Sequence, residues 1–286
     1  MEKLIITVAP TGSVPTKVQN PHLPLTPQEI AETAYRCYNE GASIVHVHAR
    51  RDGRPTLDAE VFAQTHGLIA QRCDMIVQIS TGGRAGTDPV ARAAAVRLIK
   101  PEMASLTTGS VNFPDRVYEN SFETIEYLAT AMKKAGTKPE MEIFDGSMIN
   151  NALRLVRQDL ASEPLHFNFV LGLLGAQPAM AKILLHLTEL IPAHTTWTVS
   201  GIGRHQLPMA TLALVMSGHV RVGLEDNLYY GPGELASNEQ LVARVVRLAR
   251  ELGRDVALPA EARRILGLHR PYRNHHCCGA GGVQQW

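Results

Sequence analysis

The sequence is poor in cysteine. It has four in 286 residues, two of them adjacent at Cys277 and Cys278, which is no disulfide framework for a chain of this length. It also lacks a charge excess: 28 lysines and arginines face 27 aspartates and glutamates, with no basic stripe. That removes the electrostatic footprint of a nucleic-acid or anionic-membrane binder. No apolar run approaches the roughly 18 residues that a membrane helix needs. The N-terminal run Leu4–Ala9 is too short for a signal-peptide core and reads as a first strand. The expected location is the cytoplasm, with neither nucleic acid nor membrane as a partner. A glycine-rich phosphate turn is missing too: Ala9-Pro10-Thr11-Gly12-Ser13 follows the first strand, which argues against an open doubly wound sheet.

What is present is alternation. Apolar, β-branched runs at Leu4–Ala9, Ser43–His48, Met75–Ser80, Met103–Leu106, Glu140–Phe144, Leu165–Val170, Thr195–Ser200 and Val220–Leu224 are each followed by a helical pattern. These patterns lie near 27–40, 58–72, 88–99, 121–135, 147–160, 178–190, 206–217 and 237–253. Such a series predicts an α/β fold, a (β/α)8 TIM barrel spanning residues 1–268 as one domain. Helix starts are marked by the capping box Thr26-Pro27-Gln28-Glu29, by Asp58 and by Asp88-Pro89. Gly41, Gly136 and Gly253 mark helix ends.

The second strand ends Ile44-Val45-His46-Val47-His48-Ala49-Arg50. Residues i and i+2 of a strand share a face, so both imidazoles can converge on one ion at the C-terminal mouth, where barrel active sites lie. Such a pair can also be two core histidines bonded to backbone. The arginines and polar loop that follow at once favour ligands. The eighth strand flanks the first, as the second does, and its end Arg221-Val222-Gly223-Leu224-Glu225-Asp226-Asn227 offers Glu225 as a third ligand. Two histidines and a carboxylate leave an open position, as in catalytic zinc; iron, manganese or cobalt would also suit. Polar residues end other strands as well: Ser80-Thr81-Gly82-Gly83-Arg84, Ser105 with Thr107-Thr108-Gly109-Ser110, Glu142, and Gly201-Ile202-Gly203-Arg204.

Taken in order, Thr11-Gly12, His46-Val47-His48, Gln78-Ile79-Ser80-Thr81-Gly82-Gly83, Pro101 to Leu106, Pro139-Glu140-Met141-Glu142, Gly201 to Arg204 and Arg221 to Asn227 resemble the β-keto acid cleavage enzyme family. The resemblance ends at Ile265-Leu266-Gly267-Leu268. It implies a zinc-dependent retro-Claisen exchange, in which a β-keto acid and acetyl-CoA give acetoacetate and a new acyl-CoA. It further implies His46, His48 and Glu225 as metal ligands, and a homotetramer. By position it makes Arg221 and Asp226 a proton-abstracting dyad, with Ser80 in support and Glu142 as the competing base. Ser105, Thr107, Thr11, Gly82, Gly83 and Val14 fall at substrate-binding positions. Where the 3-keto-5-aminohexanoate enzymes carry a glutamate on the first loop, this sequence has Val14, which predicts an uncharged or apolar keto acid.

Two expectations compete with this one. A metal-dependent barrel hydrolase would place His-x-His on the first strand and add two histidines and an aspartate. A binding protein without catalysis would not need Arg221, Asp226 and Ser80. Beyond the resemblance, residues 269–286 form a C-terminal tail whose glycines predict mobility, and whose His275-His276-Cys277-Cys278 lacks the spacing of a zinc knuckle.

Overall fold

The computed structural model describes residues 2–83 and 86–268. The tail lies outside the described residues. All eight apolar runs fold as strands: β1 (Ile6–Val8), β2 (Ile44–Val47), β3 (Ile76–Ile79), β4 (Met103–Thr107), β5 (Lys138–Ile143), β6 (His166–Leu171), β7 (Thr196–Gly201) and β8 (His219–Val222). They close into one parallel barrel, in the order β1-β8-β7-β6-β5-β4-β3-β2. Closure rests on the first strand, where Thr7 pairs with Arg221 of β8 and Val8 with Val45 of β2. The open sheet is thereby excluded.

Helices α1 (Pro27–Glu40), α2 (Ala59–Arg72), α3 (Pro89–Arg92), α4 (Ala94–Ile99), α5 (Phe122–Ala135), α6 (Ser147–Arg157), α7 (Ala181–Leu190), α8 (Gln206–Val215) and α9 (Asn238–Glu251) surround the barrel. The capping box of α1 forms as written: the Thr26 side chain accepts from Glu29 N, and Glu29 accepts from Thr26 N. Asp58 and Asp88 cap α2 and α3. The pattern read as one helix over 88–99 is two short ones, parted at Ala93 beside buried Arg92, whose Nε donates to the Thr81 carbonyl.

Alternation along the strands sorts the core. Val45, Val47, Val77, Ile79, Ala104 and Leu106 face the helices in the main apolar cluster. Ile5, Ile44, Ile76 and Met103 form a separate cluster with Ala257, Ala262 and Leu266. The last two belong to α10 (Pro259–Leu266), a helix the sequence pattern did not suggest, which closes the N-terminal end of the barrel. Its approach is held by Leu4, whose N–H donates to the Asp255 carbonyl at 2.8 Å and whose carbonyl accepts from Ala257 at 2.8 Å. With that end sealed, the loops after the strands are left to build a site at the other. Three of them carry small hairpins: Arg50–Arg51 with Arg54–Pro55, Val111–Phe113 with Arg116–Tyr118, and Tyr229–Gly231 with Glu234–Leu235.

Candidate active site

At the C-terminal mouth the loops enclose a cavity of about 1080 Å³. His46 and His48 leave β2 on one face, as the i, i+2 spacing requires, with ring centroids 5.1 Å apart. Glu225 reaches them from the loop after β8: its Oε1 is 3.8 Å from His46 Nε2 and 3.4 Å from His48 Nε2. One donor atom from each of the three residues lies within 4.8 Å of the others.

Glycine makes this approach possible at one position in particular. Gly12 has φ +63°, and a Cβ there would stand 2.6 Å from Glu225 Cγ. A side chain at Gly12 would be both strained and in the space of Glu225. The same loop is tied down by Arg50, which donates to the Gly12 and Pro15 carbonyls.

The orientation of His46 is set from behind. Gln78 lies directly opposite His46 in the β2–β3 register, and its Oε1 is 2.6 Å from His46 Nδ1. An oxygen acceptor there puts the imidazole proton on Nδ1 and leaves the Nε2 lone pair facing Glu225. Burial lowers the His46 pKa to about 4, so the ring is neutral at pH 7. Although burial by itself raises a carboxyl, the Arg221 guanidinium holds Glu225 well below the usual carboxylate range. Neutral imidazoles and an ionised carboxylate are the forms that bind a divalent ion. Glu225 Oε2 is buried with no hydrogen-bond partner, an acceptor left open where a cation would sit.

Arg221, at the end of β8, is 4% exposed and gathers the acids of the site. It makes a bidentate pair with Asp226, at 2.9 Å from both Nε and Nη2, while Nη2 also meets Glu225 Oε1 at 2.6 Å. Its Nη1 has no hydrogen-bond partner and stands 3.7 Å from Glu142 Oε1. Burial raises Asp226 to about 6, with Arg221 opposing and the Glu225 charge adding to the rise. Burial likewise raises Glu142 to about 6, against Arg221 and a hydrogen bond from Thr107. Among the described residues, the cavity wall carries the carboxylates of Asp115, Glu142, Glu225 and Asp226 and the guanidiniums of Arg116, Arg204 and Arg221.

Of the remaining residues picked from the sequence, Ser80, Gly82, Gly83 and Val14 line the cavity. Ser80 Oγ accepts from Gly82 N at 3.2 Å, and Val14 is 66% exposed. Three others are not among the lining residues. Thr11 Oγ1 donates to the Pro24 carbonyl, Ser105 is buried deeper in β4, and Thr107 turns its hydroxyl to Glu142 at 2.6 Å. Sequence reasoning assigned no role to the support of Gln78, to Tyr118 at the cavity wall, or to the polar interior beneath the site. There Glu140, 3.2 Å from His166 Nε2, accepts from Asn168, which in turn accepts from Ser200. A signal was available for Gln78, which shares the inward face of β3 with Ser80, and for Glu140, two residues before Glu142 in β5.

A family profile described as β-keto acid cleavage enzyme matches residues 3–268. The chain is 48% identical over 274 residues to the 3-keto-5-aminohexanoate cleavage enzyme of Fusobacterium nucleatum subsp. nucleatum, covering 94% of this chain and all of that one. It is 42% identical to the 3-oxoadipate:acetyl-CoA acetyltransferase of Cupriavidus necator, over 92% of this chain and 94% of the other. Among solved structures, ObcA in a ternary complex with a C4-CoA adduct and oxalate superposes with a TM-score of 0.74 at 22% identity, over 87% of this chain and 68% of the other, a likeness of fold. With the match running from the first strand through α10, this chain belongs to the β-keto acid cleavage enzyme family.

Proposed function

We propose that the chain exchanges acyl groups between a β-keto acid and acetyl-CoA, releasing acetoacetate and a new acyl-CoA, with a divalent metal held by His46, His48 and Glu225. The observation that carries the reading is the convergence of these three donors, within 4.8 Å, beside the Arg221–Asp226 pair in one cavity. The open Glu225 oxygen and the preset His46 lone pair support a resident ion. Zinc is the first choice for a His2Glu set, with iron, manganese or cobalt as alternatives. Once bound, such an ion supplies Lewis acidity toward a ketone oxygen.

The residues of the chain do the rest. A guanidinium stays protonated, so within the dyad Asp226 is the member that can accept the C2 proton of the keto acid, while Arg221 fixes its orientation. Glu142 is the second carboxylate on the cavity wall able to handle that proton. Ser80 supports the substrate through its hydroxyl. With the C2 proton removed, that carbon attacks the acetyl thioester and expels the CoA thiolate. The thiolate adds to the original ketone carbon, the C–C bond breaks, and the proton returns to C2 of acetoacetate. Names of relatives such as the 3-oxoadipate:acetyl-CoA acetyltransferase support acetyl-CoA as the co-substrate.

Val14, with Ser13 and Pro15, gives the first loop an uncharged stretch on the cavity wall, which Phe62, Phe113 and Phe144 also line. A substrate ammonium held there without a carboxylate would be costly. The favoured substrate is therefore an uncharged or apolar β-keto acid. The reading also includes a homotetramer in the cytoplasm, checked by light scattering and cell fractionation. Among the described residues no helix is long and apolar enough to cross a membrane.

The test is a panel of β-keto acids with acetyl-CoA, assayed for acetoacetate on metal-loaded and chelated enzyme and on His46→Ala. Acetoacetate formation should require both the metal and the thioester and vanish in the variant. A panel with no turnover despite a stoichiometric ion would sink the reaction class. A 5-amino substrate ranking first in kcat/KM would sink the substrate reading alone.

A further inference from the structure

Thr107 Oγ1 donates to Glu142 Oε2 at 2.6 Å in a buried pair. A hydroxyl carries one proton, so Tyr118 Oη, 3.2 Å from the same Thr107 oxygen, must be the donor to it. Tyr118 Oη accepts in turn from Arg92 Nη2 at 3.4 Å, and the guanidinium carbon stands 5.6 Å from the ring centroid. Arg92 is 3% exposed, and every hydrogen bond it makes among the described residues goes to a neutral acceptor: the carbonyls of Thr81 and Glu119, Asn120 Oδ1 and Tyr118 Oη. A buried cation without a carboxylate partner is costly. The chain through Tyr118 and Thr107 connects this one to an acid.

The direction of that chain is fixed at both ends. Arg92 can only donate, and an ionised Glu142 can only accept. Every proton between them therefore points the same way, and neither hydroxyl is free to rotate. We propose that Tyr118 is a positioning residue for Glu142, acting through Thr107 as the middle of a one-way hydrogen-bond chain from Arg92 to the carboxylate. The proposal rests on the reading of Glu142 as a proton-handling group. Donors aimed at a carboxylate favour its ionised form, so the chain opposes the burial that pushes Glu142 up. It also places the hairpin Val111–Phe113 with Arg116–Tyr118 in contact with the reaction, since Tyr118 lies at the cavity wall and stacks on Phe113 at 5.6 Å.

The test uses the full-length, metal-loaded enzyme. Tyr118→Phe removes the hydroxyl and keeps the ring against Phe113. Two quantities are followed with pH: kcat/KM for the keto acid at saturating acetyl-CoA, and the carboxyl 13C resonance of Glu142, assigned by its loss in Glu142→Gln. In Tyr118→Phe the acidic limb and the resonance midpoint should rise together by about half a pH unit, kcat should fall several-fold, and KM for acetyl-CoA should hold. Thr107→Val should move both further, and adding Tyr118→Phe to it should move neither again. Superimposable titrations for wild type and Tyr118→Phe would overturn the proposal. So would a Tyr118→Phe shift that persists at full size in the Thr107→Val background. A shifted resonance with an unmoved acidic limb would leave the chain standing and refute the role of Glu142.

Discussion

At the scale of single residues, the site keeps two carboxyls in conflict with their surroundings. Glu142 is raised by burial to about 6 from an ordinary 4.5. A raised carboxyl adds stability below its unfolded pKa and loses it as pH climbs through the folded value, here between about pH 4.5 and 6. Glu142→Gln imitates the protonated form. It should be more stable than wild type by about 2 kcal/mol at pH 8, with the gain gone below pH 4.5. Urea unfolding at several pH values checks this; a difference of constant size would sink it. Gly12→Ala acts by geometry instead. Left-handed backbone costs an alanine about 1–2 kcal/mol, and the added carbon would displace Glu225. Metal affinity should fall at least tenfold in that variant, as read by competition with a chelator. The histidines were legible in the sequence because strand periodicity converts spacing into direction. The Tyr118 link was not, because it depends on a hairpin that brings the chain back beside Thr107.

At the scale of elements, the barrel strands and most helices could be read because each carries its own local signal: an apolar run, a capping hydroxyl, a terminal glycine. α10 has proline at N1, Glu261 in its first turn and Gly267 at its end, yet it follows a complete set of alternations and so offered no place in the pattern. Its role is visible only in three dimensions, where Leu266, fully buried, packs with Ile5, Ile44, Ile76 and Met103. Arg263 anchors the same helix to Glu102 and Asp74. Leu266→Ala should cost about 2–5 kcal/mol of unfolding free energy. Because the floor lies at the opposite end from the cavity, KM for both substrates should stay at the wild-type value. A variant of normal stability, or one whose KM rises with its instability, would contradict this division between a structural end and a chemical end.

For the molecule as a whole, stability and metal content should be linked. An ion bound only by the native state at a hundred times its Kd stabilises by about 2.7 kcal/mol, roughly 5–10 °C in Tm for a chain of this size. Chelation should lower Tm by that much in wild type and leave His46→Ala, already low, where it is. Equal falls in both would place the ion elsewhere. The meeting of Leu4 with Asp255 and Ala257 bears on how the protein is made. β1 leaves a ribosome well before the eighth strand that pairs with one of its sides, and the barrel floor waits for α10. Ile5, Ile44, Ile76 and Met103 therefore stay uncovered through most of synthesis, and a chain released before Pro259 presents that apolar floor to whatever chaperone or protease arrives first.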